Sequence, residues 1–225
     1  MPIATLRRVN VFVTGGTGYL GTPLVRALID RRHSVTALAR RESTVRLPPG
    51  CRIVIGDALD RRTFEPAVAG ADTFVQLVGV PHPSPAKAEQ FRRIDLVSAV
   101  ESIAAASAAG VRHFVYVSVA QPAPIMKAYQ ATRAEAESAL RATSMPATVL
   151  HPWYVLGPGH RWPYLTMPVY WVLGMLPPTR DAARRLALVT HAQMIDALLW
   201  SVENPTPSGC RVIEAAQIKR GLGYS

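Results

Sequence analysis

Eight residues near the start of this chain restrict its fold more than anything else in it. Thr14-Gly15-Gly16-Thr17-Gly18-Tyr19-Leu20-Gly21 follows directly on an apolar run at 9–14 and opens a helical pattern at 18–32. Gly15, Gly18 and Gly21 recur every three residues, a G-x-x-G-x-x-G turn. Its physics is that of the better-known G-x-G-x-x-G turn. The first glycine permits the tight turn, the second lets backbone approach a pyrophosphate, and the third lets the helix pack on the strand. Phosphates then meet free N–H groups at the positive end of the helix dipole. Gly15, Thr17, Gly18, Tyr19 and Leu20 are therefore the expected pyrophosphate-binding residues.

The rest of the first two thirds repeats the same alternation. Strands are expected at 9–14, 34–39, 52–55, 73–78, 112–118 and 147–151, with helices at 18–32, 60–69, 85–109 and 127–143. Strand, helix, strand in regular order builds βαβ units, joined by right-handed crossovers into a parallel sheet with helices on both faces. The fold expected is α/β, a doubly wound parallel sheet (Rossmann fold). The last third differs. Residues 152–178 are rich in Pro, Trp, Tyr and Met without a strong period, followed by a short strand at 186–189, a helix at 191–203 and a strand at 210–214. We read 1–225 as one domain, with a core over about 8–151 and a small substrate lobe over about 152–225 woven around the sheet edge.

The ends of the early strands carry the cofactor signals. An NAD site usually places Asp or Glu at the end of strand two, on the ribose 2′-OH, whereas Arg there takes a 2′-phosphate. This strand ends Ala39-Arg40-Arg41, with Glu42 coming later, where the turn can aim it away. Arg40, assisted by Arg41, therefore favours NADP(H) over NAD(H); the competing reading is a solvated basic patch. Asp57 in Gly56-Asp57-Ala58 either accepts from an adenine amino group or caps the next helix, a role for which Asp60 competes. Leu77-Val78-Gly79 ends strand four, where a glycine lets the chain pass close under the ribose and pyrophosphate.

At this point the sequence resembles a family. Residues 14–21, Gly56-Asp57 and the pair Ser118 and Tyr129 look like short-chain dehydrogenase/reductase relatives of the extended and atypical groups. The nearest likeness is to NAD(P)H-binding proteins grouped with NmrA-like regulators and with the nucleotide-binding accessory subunit of respiratory complex I. Tyr129-Gln-Ala-Thr-Arg133-Ala-Glu135-Ala-Glu137 resembles the family's Y-x-x-x-K helix, and Met145-Pro-Ala-Thr-Val-Leu-His-Pro152 its strand ending in Arg-Pro. The family's lysine is Arg133 here, and its arginine before proline is His151. The resemblance also implies a dimer through the two long helices, so the state expected is monomer or homodimer. The short chain implies a small substrate lobe.

The resemblance makes Ser118, Tyr129 and Arg133 the catalytic candidates. In the reductase mechanism a Tyr phenol protonates the carbonyl oxygen as hydride arrives. A free phenol titrates at ~10, and a nearby cation brings that closer to working pH. Tyr129 and Arg133, four apart, share a helix face. Ser118, at the end of strand five, would hold the substrate oxygen. Arg cannot join a proton relay, because it does not lose its proton. Two other readings stand beside this one: an ordinary helix pair in a protein without this chemistry, and hydride transfer to a quinone or flavin whose proton comes from solvent.

Pro152, Trp153 and Tyr154, beyond strand six, are expected to line the nicotinamide face, and His151, His160 and Arg161 to add polar anchors to an apolar pocket. The stretch 162–179 is uncharged but broken by Pro163, Pro168, Pro177 and Pro178, so it reads as a lid, dimer surface, membrane-surface contact or packed lobe, not a span. Two cysteines, Cys51 and Cys210, exclude a disulfide scaffold and a Cys-rich zinc site, and His151 and His160 are too few, with no carboxylate near them in sequence, for a metal site. No signal peptide is read at the N-terminus, and the expected location is the cytoplasm. A net charge of +10 with Arg7-Arg8 and Arg184-Arg185 raises nucleic acid, but no DNA- or RNA-binding motif accompanies it. The sequence thus points to an NADP(H)-binding short-chain-type oxidoreductase for a small apolar carbonyl or quinone-like acceptor. The alternative is a non-catalytic NAD(P)H-binding sensor or assembly protein.

Overall fold

A computed structural model describes residues 8–123, 125–157 and 187–223. Strands β1 (Asn10–Thr14), β2 (Ser34–Ala39), β3 (Arg52–Ile55), β4 (Thr73–Gln76), β5 (His113–Val117), β6 (Ala147–His151) and β9 (Cys210–Glu214) form one sheet. Its order is β3-β2-β1-β4-β5-β6-β9, and every neighbouring pair is parallel. The order reverses between β1 and β4, which makes their carboxyl ends the switch point where such sheets bind ligands. The doubly wound fold expected from the sequence is present.

Alternation along the strands loads both faces. Phe12, Phe74 and Phe114 sit in register on β1, β4 and β5, with successive ring centroids 5.2 Å apart. They meet Phe64, Ile103 and Leu140 on one face. Val11, Val13, Val75 and Val115 point to the other, against α1 (Gly21–Asp30) and α6 (His191–Glu203) through Leu24, Leu28, Met194 and Leu198. Each fully buried aliphatic side chain contributes about 1.5–3 kcal/mol. The described part of the last third is built into the sheet: α6 shares the α1 core, and β9 forms the edge beyond β6.

Several elements differ from the sequence reading. The expected helix at 60–69 is a 3-10 turn (Arg61–Thr63) and a single turn α2 (Glu65–Val68). Pro66 has no N–H to give the carbonyl four residues back, so a continuous helix cannot form there. The expected helix at 85–109 is helical but uneven. It runs through a 3-10 turn (Pro85–Lys87), α3 (Ala88–Gln90), a π turn (Phe91–Leu96) and α4 (Val97–Ala108). The π turn carries Asp95, whose carboxylate is turned fully inward. Helix α5 (Lys127–Ala142) is close to expectation. Strand β7 (Tyr154–Leu156), in the segment read as lacking a period, pairs in parallel with β8 (Leu188–Thr190). Helix α7 (Ala215–Arg220) was too short to show a period; a capping box of Glu214 and Gln217 starts it.

Candidate functional site

The glycine loop lies at the switch point. Gly15 has φ +76°, and a Cβ there would sit 2.7 Å from the Leu77 carbonyl carbon and 2.8 Å from Val78 N. Leu77 N in turn donates to Thr14 O at 3.0 Å. The loop after β1 is thus pressed onto the segment after β4, which brings Gly15, Leu77 and Val78 together. A Cβ on Gly21 would lie 2.0 Å from Gly15 O, so the start of α1 packs directly on the turn. No side chain caps Leu20, and the first turn of α1 holds no acid. Thr22 N donates to Gly18 O at 3.1 Å, Gly18 N donates to Gly15 O at 3.0 Å, and Pro23 has no N–H, so the attraction for an external anion comes chiefly from the dipole of the helix start. Tyr19 extends the loop toward the last third: its ring meets that of His191, and its carbonyl lies 3.0 Å from His191 Nε2.

At the end of β2, Arg40 is 73% exposed and its Nε lies 3.5 Å from Glu42 Oε1. Glu42 therefore does not point away; the 3-10 turn that begins at Arg41 brings it back onto Arg40. At the end of β3, Asp57 Oδ1 accepts from Leu59 N at 2.9 Å, and Asp60 caps the next turn through Arg62 N. Asp57 stiffens its own loop, and Ala58 is half-buried behind it. Gly79 has a different neighbour from the one expected. A Cβ there would sit 2.6 Å from Arg133 Nη2 and 3.2 Å from Asp95 Oδ1.

Arg133 and Asp95 form a sealed ion pair. Arg133 Nη2 donates to Asp95 Oδ1 at 2.5 Å, and Nη1 donates to Tyr116 Oη and Val117 O at 3.2 and 3.0 Å. Val80 N donates to the other Asp95 oxygen. The side chains are 6% and 0% exposed. Burial raises the Asp95 pKa against the pull of Arg133. Burial opposes the Arg133 charge as well, but Tyr116, Tyr129 and Asp95 outweigh it and hold the guanidinium charged. Tyr129 is half-buried on the same helix face. Its ring meets that of Phe91 at a tilt of 59° and lies 5.0 Å from the Arg133 guanidinium carbon, a cation–π contact.

Ser118 belongs to a second cluster. Its hydroxyl donates to Glu137 Oε1 at 2.5 Å, and Gln121 Nε2 and His151 Nε2 reach the same oxygen at 3.0 and 2.9 Å. Arg141 donates to Oε2 at 2.8 Å. His151 Nδ1 lies 3.4 Å from Glu214 Oε1. Burial works against the Glu137 charge, yet the donors His151, Ser118 and Arg141 outweigh it and hold its carboxyl below the usual range. Burial likewise works against His151, and Glu137 with Glu214 outweighs it and raises the imidazole. The structure thus brings Tyr129 to Arg133 but gives Ser118 a different partner. Asp95, Glu137 and Glu214 were not singled out from the sequence; only the four-residue step Tyr129, Arg133, Glu137, Arg141 along α5 hints at one of them.

Pro152 is buried, its carbonyl accepting from Ala120 N at 3.0 Å, and Trp153 and Tyr154 are half-buried beside it. His160, Arg161, Arg184-Arg185, Arg7 and the whole stretch 162–179 lie outside the described residues. Among the described residues, no helix is long and apolar enough to cross a membrane.

Known proteins agree with this geometry. The NAD(P)H-binding family matches residues 15–161. Ceramide reductase of Caulobacter vibrioides is 33% identical over 165 residues, covering 70% of this chain and 50% of that protein. Photosystem II assembly factor Ycf39 of Synechocystis is 30% identical, covering 63% of this chain and 43% of that protein. The chain spans about half the length of the curated relatives it matches. Among solved structures, the Bordetella bronchiseptica enzyme WbmH in complex with NAD+ superposes with TM-score 0.68 at 17% identity, covering 92% of this chain and 76% of that one. An Agrobacterium tumefaciens short-chain dehydrogenase/reductase superfamily protein with bound NAD gives 0.67 at 17% identity, covering 91% and 77%. The matched span takes in the glycine loop, the end of β4 and the Ser118 and Tyr129 elements, so this chain belongs to the NAD(P)H-binding family and carries the fold of the short-chain dehydrogenases/reductases.

Proposed function

We propose that this chain is an NADP(H)-dependent oxidoreductase for a small apolar carbonyl or quinone-like acceptor. The observation that carries the reading is the turn at Gly15. It is pressed onto Leu77 and Val78 at the switch point, ahead of a helix start that no side chain caps. That cradle fits a pyrophosphate at Gly15, Thr17, Gly18, Tyr19 and Leu20. Arg40, open to solvent on all but its Glu42 side, takes the 2′-phosphate, with Arg41 beside it. Asp57, Ala58, Leu77, Val78 and Gly79 border the adenosine half, and Pro152, Trp153 and Tyr154 the nicotinamide half. When bound, the cofactor supplies a hydride. Ser118 and Tyr129 are the hydroxyls offered to the reacting oxygen, with the Arg133 charge held behind the Tyr129 ring. Relatives named as reductases of ceramide and of a farnesylated quinoline oxide favour a lipophilic acceptor. We further read the chain as one domain, a monomer or homodimer in the cytoplasm, with 162–179 available for membrane-surface contact.

Calorimetric titration with NADPH and with NADH tests the cofactor. NADPH should bind at least about tenfold tighter, a margin of about 1.4 kcal/mol. Arg40→Ala should remove the difference. Equal affinities for both would overturn the NADP(H) preference, and no binding of either would overturn the function. A second reading, a dinucleotide-binding assembly or sensor protein, is favoured by the sealing of Arg133 against Asp95 and by the similarity to an assembly factor. It requires binding without oxidation of NADPH by any aldehyde, ketone or quinone.

A further inference from the structure

The buried cluster around Glu137 is not among the residues proposed above to hold the dinucleotide, and its cost needs a reason. A carboxylate 3% exposed and an imidazole 8% exposed meet at 2.9 Å, and the same carboxylate oxygen receives the Ser118 hydroxyl. Desolvating such a pair commonly costs as much as the attraction returns, so stability alone does not account for it. Its position is informative. Ser118 directly follows β5, His151 ends β6 and Glu214 ends β9, neighbouring strands at the ligand-binding edge of the sheet. Glu214 is 44% exposed and its Oε1 lies 3.4 Å from His151 Nδ1 without a hydrogen bond between them, so the cluster reaches from the expected substrate oxygen to a carboxylate at the surface. The usual cation of this helix is also missing as a proton carrier: Arg133 does not deprotonate and is enclosed by Asp95, Tyr116 and Val117.

We propose that Ser118, Glu137 and His151 form a proton line, recharged through Glu214, that protonates the substrate oxygen during carbonyl reduction. This rests on the oxidoreductase reading. As a carbonyl carbon gains a hydride, its π pair moves to oxygen. The Ser118 hydroxyl turns from Glu137 Oε1 to that oxygen and gives it its proton, while the Nε2 proton of His151 passes to Glu137 Oε1 and from there to Ser118 Oγ. The imidazolium becomes neutral imidazole, Glu137 returns to carboxylate, and solvent restores the lost proton by way of Glu214. The charged or titratable groups facing the pair are Arg141 on α5 and Cys210 and Glu214 on β9; Ser118 and Gln121 are the neutral donors. With His151 as the proton store, reduction must weaken as pH rises through its titration.

Two measurements decide it. The first needs no turnover: long-range nitrogen–proton NMR of histidine-labelled protein. His151 should remain imidazolium above the usual ~6.5 in the wild type and titrate lower in Glu137→Gln and, by about half a unit, in Glu214→Gln. An imidazole that titrates at or below the usual value overturns the proposal. The second follows NADPH oxidation by nitrobenzaldehyde and by phenanthrenequinone against pH. His151→Asn keeps Arg141 on Glu137 and should fold. It should lower aldehyde reduction at least about 10²-fold, abolish the alkaline limb and leave NADPH affinity unchanged. Glu214→Gln should move that limb down with the NMR titration. Aldehyde reduction with an alkaline limb unmoved in both variants overturns the proton line while leaving the oxidoreductase intact. Absence of NADPH binding overturns both readings.

Discussion

The two halves of the candidate site are made from different materials. On the proposed cofactor side the cradle at β1 and β4 is backbone, glycine contacts and an uncapped helix end, with the exposed Arg40 side chain beyond it after β2. On the chemical side, around β5, β6 and α5, it is buried side-chain charge: Arg133 with Asp95, and Glu137 with His151. A backbone cradle has no side chain to lose, and it fails only when something is added. A buried charge network fails when anything is taken away. The two halves should therefore break under opposite kinds of substitution.

The largest effect is expected on the chemical side. Asp95→Ala strands the buried Arg133 guanidinium and should cost about 3–5 kcal/mol in urea unfolding. The double variant Asp95→Leu with Arg133→Met should recover most of that loss, because no unpaired charge remains. If the double variant is no more stable than Asp95→Ala, the guanidinium is not the source of the cost.

On the cofactor side the damaging change is a gain of one methyl group. Alanine is normally better than glycine in a helix by about 1 kcal/mol. At Gly21 the added Cβ meets Gly15 O and the Gly16 backbone, which cannot swing aside. Gly21→Ala should instead destabilise by about 1–3 kcal/mol and weaken NADPH binding along with it. A more stable Gly21→Ala protein would mean that the turn is not packed as described.

This contrast also explains what could be read from the sequence. The cofactor side was legible because its determinants are local: the three glycines, the strand before them and the helix after them lie within one short stretch. The place of Arg40 at the end of β2 follows from the same local pattern, whereas its contact with Glu42 does not, because a 3-10 turn reverses the chain there. The chemical side was legible in part. Tyr129 and Arg133 are neighbours, as their spacing implies, but Asp95 reaches them from a π turn that no periodicity announces. Glu135 and Glu137 look alike in sequence. Only the four-residue step from Arg133 places Glu137 inward, while Glu135 pairs with exposed Arg92. The strand β7 was hidden for another reason: three residues in a proline-rich stretch carry too little pattern to separate strand from loop.

Acid should divide the molecule differently. His113 begins β5, 1% exposed, with Nε2 2.9 Å from Thr148 Oγ1. Burial, with a smaller push from Arg211, lowers its pKa to about 4. A folded value below the unfolded ~6.5 means that the unfolded chain binds more protons between the two, so stability falls as pH drops through that window. Between pH 7 and pH 5 the wild type should lose about 2 kcal/mol relative to His113→Gln, by the linkage of that shift. The comparison between variants cancels His151. That group has a raised folded value and contributes stability that is complete below ~6.5 and lost as pH rises through the folded pKa. Equal acid sensitivity of the two proteins would place His113 in contact with water.

The smallest expected effect bears on the cofactor side alone. The Arg40 to Glu42 contact is exposed at both ends, 73% and 68%, so it adds little to the fold. For a 2′-phosphate, however, Glu42 is a competitor: its carboxylate neutralises the cation that should receive the dianion. Glu42→Gln should leave unfolding within about 0.5 kcal/mol of wild type. It should tighten NADPH about two- to fivefold, the reach of an exposed pair worth under 1 kcal/mol. NADH, lacking the phosphate, should be unaffected, and added salt should shrink the NADPH gain. An equal gain for both nucleotides would assign Glu42 a general repulsion of the pyrophosphate. Tighter NADH alone would overturn the reading, because Glu42 could then not be the competitor of a 2′-phosphate at Arg40.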